Sequence, residues 1–343
     1  MTPLLAIAAE WRRREPDVKF SWIGTPKGPE RALVEAAKIP FYALAAPKLD
    51  RSRPWTIPFV PVQLLVSALK SISLLRSIEP HMVMSAGAYV SVPVAWVAWF
   101  MRIPVWIHQL DVEPGVANKL MAPVAKRISI TWEASMNAFS STKTLVVGCM
   151  ARKMLRLGER QTALEMFGFD ASLPTVMITG GSSGAQQLND AMLIIGHDLA
   201  KRANVLHLTG KGKMHEGLNG LGKRYVAFEF LQETMADAYA LADVVVARAG
   251  MGTIAELVAL GKPTILVPLP GHQELNAKAL EERKAAEVLR IVTPQTLKQA
   301  IERLLDHPER REELAKHIRS VFPLNADERI VHAAIELLDA GKV

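Results

Sequence analysis

One cysteine, Cys149, in 343 residues excludes an intramolecular disulfide framework and makes a reducing compartment the default. Charge is sparse: 22% of residues carry it and half are hydrophobic, an apolar balance for a soluble protein. Even so, no apolar run is long enough to read as a membrane span. The most lipophilic region, Met82–Ile107, is broken by Gly87, Pro93, Arg102 and Pro104, which fits strand–helix–strand inside a core. The short apolar run Leu4–Ala9 precedes Arg12, Arg13 and Arg14, the reverse of secretory-signal order. Repeats and low-complexity tracts are absent. Zinc-ligand spacings, RNP-like aromatic motifs and dense Lys/Arg runs are absent too, so no nucleic-acid partner is expected.

The charge that is present sits on one side of the chain. Residues 1–148 hold 17 Lys and Arg against 10 Asp and Glu, whereas residues 149–343 hold 24 of each. All seven tryptophans (11, 22, 55, 96, 99, 106 and 132) also fall in the first half. A basic, tryptophan-rich half joined to a neutral one implies an anionic partner for the first half alone, and Trp beside cations suits an anionic membrane surface. The segment Pro54–Ser73 has the same character, with Trp55, Ile57, Phe59, Val62, Leu64 and Leu65 near Lys48, Arg51, Arg53 and Lys70. It reads either as a loop and helix covering the core or as an interfacial patch.

Short β-type runs alternate with helix-length segments throughout, the pattern of parallel sheets flanked by helices. Strands are expected at Lys19–Ile23, Pro40–Leu44, Met82–Ser85, Val105–His108, Arg127–Thr131 and Thr144–Val147. In the second half they are expected at Thr175–Thr179, Asn204–Leu208, Tyr225–Glu229, Asp243–Ala247, Thr264–Val267 and, more weakly, Ala286–Ile291. The fold class is therefore α/β, with two doubly wound, Rossmann-like domains in tandem. The expected division is 1–147, 148–322, and a C-terminal piece, 323–343, whose helix Asp327–Ala340 packs back on the first domain.

Two turns carry chemistry. The strand Thr175–Thr179 runs into Gly180-Gly-Ser-Ser-Gly-Ala185 and then a helix from Gln186, an anion site by geometry with Ser182 as a hydroxyl donor. The spacing is neither the P-loop pattern nor the dinucleotide Gly-x-Gly-x-x-Gly, so ATP hydrolysis and NAD chemistry lose support. The strand Asp243–Ala247 runs into Arg248-Ala-Gly-Met-Gly-Thr253, with Glu256 one helical turn on, where a carboxylate could grip a ribose diol. Beyond Thr264–Val267, a polar loop Gly271-His-Gln-Glu-Leu-Asn276 offers groups suited to sugar hydroxyls. Both turns are expected at the carboxyl edge of one parallel sheet, where open α/β sheets bind ligands, which points to a sugar nucleotide.

These residues resemble the B-type, two-domain glycosyltransferases, and closely resemble the peptidoglycan N-acetylglucosaminyltransferases among them. The resemblance covers nearly the whole chain. It is carried by GGSSGA at 180, FEFLQETMADAYALADVVVARAG at 228, Glu256 and HQELNA in the second half, and by AGAYVSVP at 86 and IHQLDVEPGVANK at 107 in the first. It implies that the two domains face a cleft, and it implies inverting transfer of GlcNAc from UDP-GlcNAc to the muramoyl 4-hydroxyl of undecaprenyl-diphospho-MurNAc-pentapeptide, at the cytoplasmic face of the cell membrane. The related alternatives are a soluble UDP-GlcNAc 2-epimerase, a transferase to another lipid, or a non-catalytic UDP-sugar-binding remnant. No Asp-x-Asp motif of the metal-dependent kind is present, and neither metal nor cofactor is implied.

Carried over residue by residue, the resemblance puts Leu231 near the uracil and Glu256 on the ribose hydroxyls. Arg152, Ser182 and the turn Gly250, Met251, Gly252 and Thr253 would hold the diphosphate, with Gly181 and Arg248 in the same donor-binding set. His272 and Gln273 would contact GlcNAc, and Gly87, Tyr89, Ser91, His108 and Asn118 match positions lining the acceptor cleft. Three departures stand out. The family's His-Glu-Gln-Asn is His108-Gln-Leu-Asp111 here, and its Asn-Pro before the carried-over Arg is Cys149-Met150. The family also opens with an apolar strand, central in the first sheet, and a Gly-Gly-Thr-Gly-Gly-His loop that bears a proposed base; this sequence starts at the residues that follow it. A miscalled start or a truncated sequence, rather than a shortened protein, is the expected reason, and His108 is the fallback base.

Overall fold

The computed structural model describes residues 2–26, 28, 30–47, 60–181, 185–218 and 220–340. They divide into two compact units, residues 1–150 with 325–343, and residues 151–324.

The second unit is one six-stranded parallel sheet. Its strands are β7 (Thr175–Thr179), β8 (Asn204–Leu208), β9 (Tyr225–Phe228), β10 (Val244–Ala247), β11 (Thr264–Leu266) and β12 (Glu287–Val288), in the spatial order β12-β11-β10-β7-β8-β9. Every residue of β7, β8 and β10 is buried, as expected for strands covered on both faces and written as near-continuous apolar runs. The helices between them include α7 (Gln186–Leu199), α8 (Met235–Leu241), α9 (Met251–Leu260), α10 (His272–Glu282) and α11 (Pro294–Asp306). Strand order reverses between β7 and β10, which makes the carboxyl ends of those two strands the topological switch point.

The first unit uses the same alternation differently. Its strands β1 (Trp22–Gly24) and β2 (Phe41–Ala43) pair only with each other, and β3 (Val83–Ser85), β4 (Val105–Gln109), β5 (Arg127–Ile130) and β6 (Thr144–Val146) form a separate parallel sheet in that order. The six strands expected in one doubly wound sheet are thus split into two and four. Among the described residues, no strand pairs with the second edge of β1 or of β3. A hollow of about 1890 Å³ lies there, lined by Ile7, Trp11, Trp22, Ile23, Val83 and Met84 among others.

One face of the four-stranded sheet is covered by α3 (Val60–Ile78), α4 (Ser91–Phe100) and α5 (Val116–Met121), around Leu75, Val94, Ala98, Ile107, Met121 and Ile128. The other is covered by α1 (Thr2–Arg14) and α13 (Ala326–Asp339), around Ile7, Trp11, Trp106, Ile330 and Val331. α13 packs against α1, so the C-terminal helix belongs to the first unit. Of Pro54–Ser73, the part before Val60 lies outside the described residues, and the rest is the first three-quarters or so of α3.

Candidate active site

The geometry gathers at the β7/β10 switch point. After β10 the chain passes through Arg248 and Ala249 to Gly250, whose extended backbone (φ −75°, ψ 141°) caps α9. Met251, Gly252 and Thr253 are the first residues of that helix, and the N–H groups of Gly252 and Thr253 are among those a helix start leaves without an intrahelical carbonyl. A Cβ at Gly252 would meet nothing within 4 Å, so this backbone is open to close approach. After β7, Gly181 has a left-handed backbone (φ 73°) and donates its N–H to Thr179 Oγ1 at 3.2 Å, bending the chain away from the sheet. Ser182 lies outside the described residues.

Two charged groups flank the α9 turn. Arg248 is 8% exposed, and its guanidinium donates to Val267 O at 3.0 Å with no carboxylate partner among the described residues. Burial alone lowers its pKa, because removing the cation from water costs energy that no counter-charge returns. Glu256 stands one turn into α9. Its Oε1 accepts from Arg152 Nε at 2.9 Å and pairs with the same guanidinium at 2.7 Å, and its Oε2 accepts from Tyr239 Oη at 3.0 Å. Leu231 is buried just before α8.

The polar loop expected at 271–276 is a helix instead: α10 begins at His272. Gly271, at φ 91°, supplies the backbone turn, and Glu274 reaches back to accept from its N–H at 3.3 Å, satisfying a donor that would otherwise be left open. His272 is exposed, Gln273 is half-buried, and Gln273 Oε1 accepts from Leu269 N–H at 3.1 Å. Asn276 is buried and donates to Ala249 O at 3.3 Å, which ties α10 to the α9 turn. Residues 248–276 therefore form one braced surface.

In the first unit, Gly87, Ser91 and Asn118 lie at the carboxyl edge of β3 and β4. Gly87 has φ 94°, and a Cβ there would come within 3.2 Å of the Asn118 amide. Asn118 is 3% exposed and donates to His108 O at 3.2 Å and Gln109 Oε1 at 2.6 Å, while its own Oδ1 is buried without a partner among the described residues. Tyr89 is exposed and Ser91 opens α4.

His108 does not fit the role of fallback base. It is fully buried in β4, bonded through Nδ1 to Ser129 Oγ at 2.9 Å, and burial pushes its pKa down to about 4. Ser129 Oγ also accepts from Trp106 Nε1 at 2.9 Å, so the ring belongs to an internal network closed off from solvent. The reason is positional: β4 is covered on both faces, so a residue near its end points into the core. Among the described residues no group of three or more His, Cys, Asp or Glu is placed to hold a metal ion.

Two Rossmann-like units of parallel sheet, one with a glycine turn and a carboxylate at its switch point, have the architecture of the two-domain glycosyltransferases. Residues 1–130 match the glycosyltransferase family 28 N-terminal domain and residues 175–330 the glycosyltransferase family 28 C-terminal domain. The chain belongs to glycosyltransferase family 28. Among its relatives is the UDP-N-acetylglucosamine–N-acetylmuramyl-(pentapeptide) pyrophosphoryl-undecaprenol N-acetylglucosamine transferase of Lachnospira eligens. It is 36% identical over 294 residues, which cover 84% of this chain and 82% of the relative. The transferase of that name from Legionella pneumophila is 32% identical over 339 residues, covering 96% of this chain and 92% of the relative. The crystal structure of Acinetobacter baumannii MurG matches with a TM-score of 0.74 at 25% identity, covering 96% and 94% of the two chains. A putative UDP-N-acetylglucosamine 2-epimerase from Listeria monocytogenes matches at 0.71 with 12% identity over 99% and 95%, which shows a shared fold.

Tyr239 was not singled out by its sequence. It sits in a helix of small apolar residues, where a tyrosine reads as core, and only the fold brings its hydroxyl to Glu256.

Proposed function

We propose that this glycosyltransferase moves GlcNAc from UDP-GlcNAc to the 4-hydroxyl of the muramoyl residue of undecaprenyl-diphospho-MurNAc-pentapeptide, converting lipid I to lipid II with inversion. The observation that carries the reading is the pairing of Arg248 and Glu256 around the Gly250–Thr253 turn at the switch point. A buried guanidinium without a carboxylate among the described residues is a site for an anion, and the helix-start N–H groups of Gly252 and Thr253 beside it suit a diphosphate. A carboxylate one helical turn away suits the ribose diol. His272 and Gln273, on the braced start of α10, are the sugar-facing groups. As the anomeric bond breaks, Arg152, Arg248 and the α9 N-terminus stabilise negative charge on departing UDP. The names of the relatives supply the acceptor, and Gly87, Tyr89, Ser91 and Asn118 are its proposed contacts in the first unit.

The first unit is also the proposed membrane-facing one. No helix among the described residues is long and apolar enough to cross a membrane. Neighbouring α3, α4 and α5 expose Leu65, Leu69, Trp96, Trp99, Phe100 and Leu120, with Phe100 77% exposed. Arg102 follows α4 and Lys119 lies on α5, so the apolar patch has cations suited to an anionic surface at the cytoplasmic face.

The test is transfer of radiolabelled GlcNAc from UDP-GlcNAc to a lipid I analogue, read as label in the lipid-linked product. Label in that product is expected. Donor binding without transfer would favour a binding remnant, and conversion of UDP-GlcNAc without acceptor would favour an epimerase.

A further inference from the structure

The terminal torsion of a glutamate is broad, so a carboxylate that must meet two adjacent hydroxyls needs something to set its plane. Glu256 is held from two sides by groups of different character. Arg152 binds Oε1 from the edge of the short 3₁₀ turn Lys153–Leu157, and its side chain is 37% exposed. Tyr239 binds Oε2 from α8 and is 2% exposed. Burial and the adjacent carboxylate keep this phenol far above its usual pKa, so it stays a donor. A carboxylate oxygen has two lone pairs, so Oε2 can accept from Tyr239 and still accept from a ribose hydroxyl.

We propose that Tyr239 is a positioning residue for the donor: its buried hydroxyl fixes the plane of the Glu256 carboxylate for the ribose diol, while Arg152 leaves Glu256 for the diphosphate when donor binds. The proposal rests on Glu256 as the ribose-binding group. The asymmetry of the clamp supports it. The guanidinium is the exposed partner, is attracted to the arriving anion and can be replaced by water. The phenol is walled in, has few torsions to rearrange and leaves no room for a substitute.

The experiment compares kcat/KM for UDP-GlcNAc with that for its 2′-deoxyribose analogue in the wild type and in Tyr239→Phe, Arg152→Gln and Glu256→Gln. The ratio is taken within one preparation, so any loss of folded protein cancels. Tyr239→Phe is expected to raise KM for UDP-GlcNAc about tenfold, the range of one hydrogen bond to a charged group, with a much smaller change in kcat. It should shrink the ribose-to-deoxyribose ratio by a similar factor. Arg152→Gln should raise KM for both donors alike and leave the ratio intact. A Tyr239→Phe ratio equal to wild type, with Glu256→Gln lowering it, would overturn the positioning role while leaving Glu256 on the ribose. A ratio unmoved by Glu256→Gln as well would remove Glu256 from the ribose, and the proposal with it.

Discussion

The two units are written in the same alternation of short apolar strands and helices, yet one closes into a single sheet and the other does not. In the second unit, β7 and β10 are paired on both edges and buried throughout. In the first, β1 and β3 each have one ladder partner and are only partly buried, with the hollow between them. A strand's composition shows that it will be covered; its pairing depends on whether a neighbour stands at 4.8 Å or so on each side. The switch point of the second unit consequently has its glycine turns on rigid support, whereas the corresponding place in the first lies beside two edges unpaired among the described residues.

The largest expected difference between the units is in native-state amide exchange. Opening free energies run from near zero at open edges to the global value in central strands. Amides of Trp22–Gly24 and Val83–Ser85 should exchange at least about a hundredfold faster than those of Val176–Thr179 and Val244–Ala247 in the 343-residue chain. Equal protection, read by mass spectrometry or NMR, would erase the contrast.

Acid should strain both units through one buried histidine each, but to different ends. His207 in β8 is fully satisfied: Nδ1 pairs with Tyr225 Oη at 2.6 Å and Nε2 with Asn189 Oδ1 at 3.0 Å. His108 leaves Nε2 without a partner among the described residues. Burial lowers both pKa values to about 4. A histidine neutral in the fold and free to protonate when unfolded contributes stability above pH 6.5, and that stability is lost as pH falls toward 4. Each could withdraw up to about 3 kcal/mol. His207→Gln and His108→Gln should each flatten the acid limb of thermal stability between those pH values. His108→Gln should also leave kcat within about fivefold of wild type, since loss of one buried hydrogen bond is worth about 1 kcal/mol. A collapse of turnover in a folded His108→Gln protein would restore it as the base.

Substrates should divide between the units as well. Glu256→Ala is expected to raise the UDP-GlcNAc KM by roughly a hundredfold, the worth of two hydrogen bonds to a charged group. Asn118→Ala should instead raise the acceptor KM with donor KM near wild type. If steady-state kinetics showed Asn118→Ala weakening donor binding as strongly as Glu256→Ala, the division of labour would fail. The smallest effect is at the patch on α4. Trp99→Ser with Phe100→Ser should weaken cosedimentation with anionic liposomes by about tenfold, from lost apolar burial, whereas Ile194→Ser in the second unit should not. Equal losses would remove the assignment of the membrane face to the first unit.

All twelve strands were legible as short β-type runs alternating with helix-length segments, most plainly where a strand covered on both faces is a run of Val, as at Val244–Ala247. Thr175–Thr179 and Asn204–Leu208 match at both ends, and elsewhere ends shifted by up to three residues, as in Lys19–Ile23 against Trp22–Gly24. The division of the first sheet was not legible, since periodicity says which face is buried and not who the neighbour is. The start of α10 read as a loop because a glycine followed by polar residues is also how a capped helix begins. For the site, glycine turns and a carboxylate one turn along are local and visible in sequence. The Tyr239 hydroxyl and the closed environment of His108 depend on residues 17 and 21 positions away, and no local pattern encodes them.

The lone thiol of Cys149 is 1% exposed and sits in the first unit, while the second contains none. Thiolate chemistry needs access, so in the native state this sulfur is silent to a thiol reagent. It becomes a clock: the rate at which such a reagent consumes it reports how often the first unit opens, and the second unit contributes nothing to that signal.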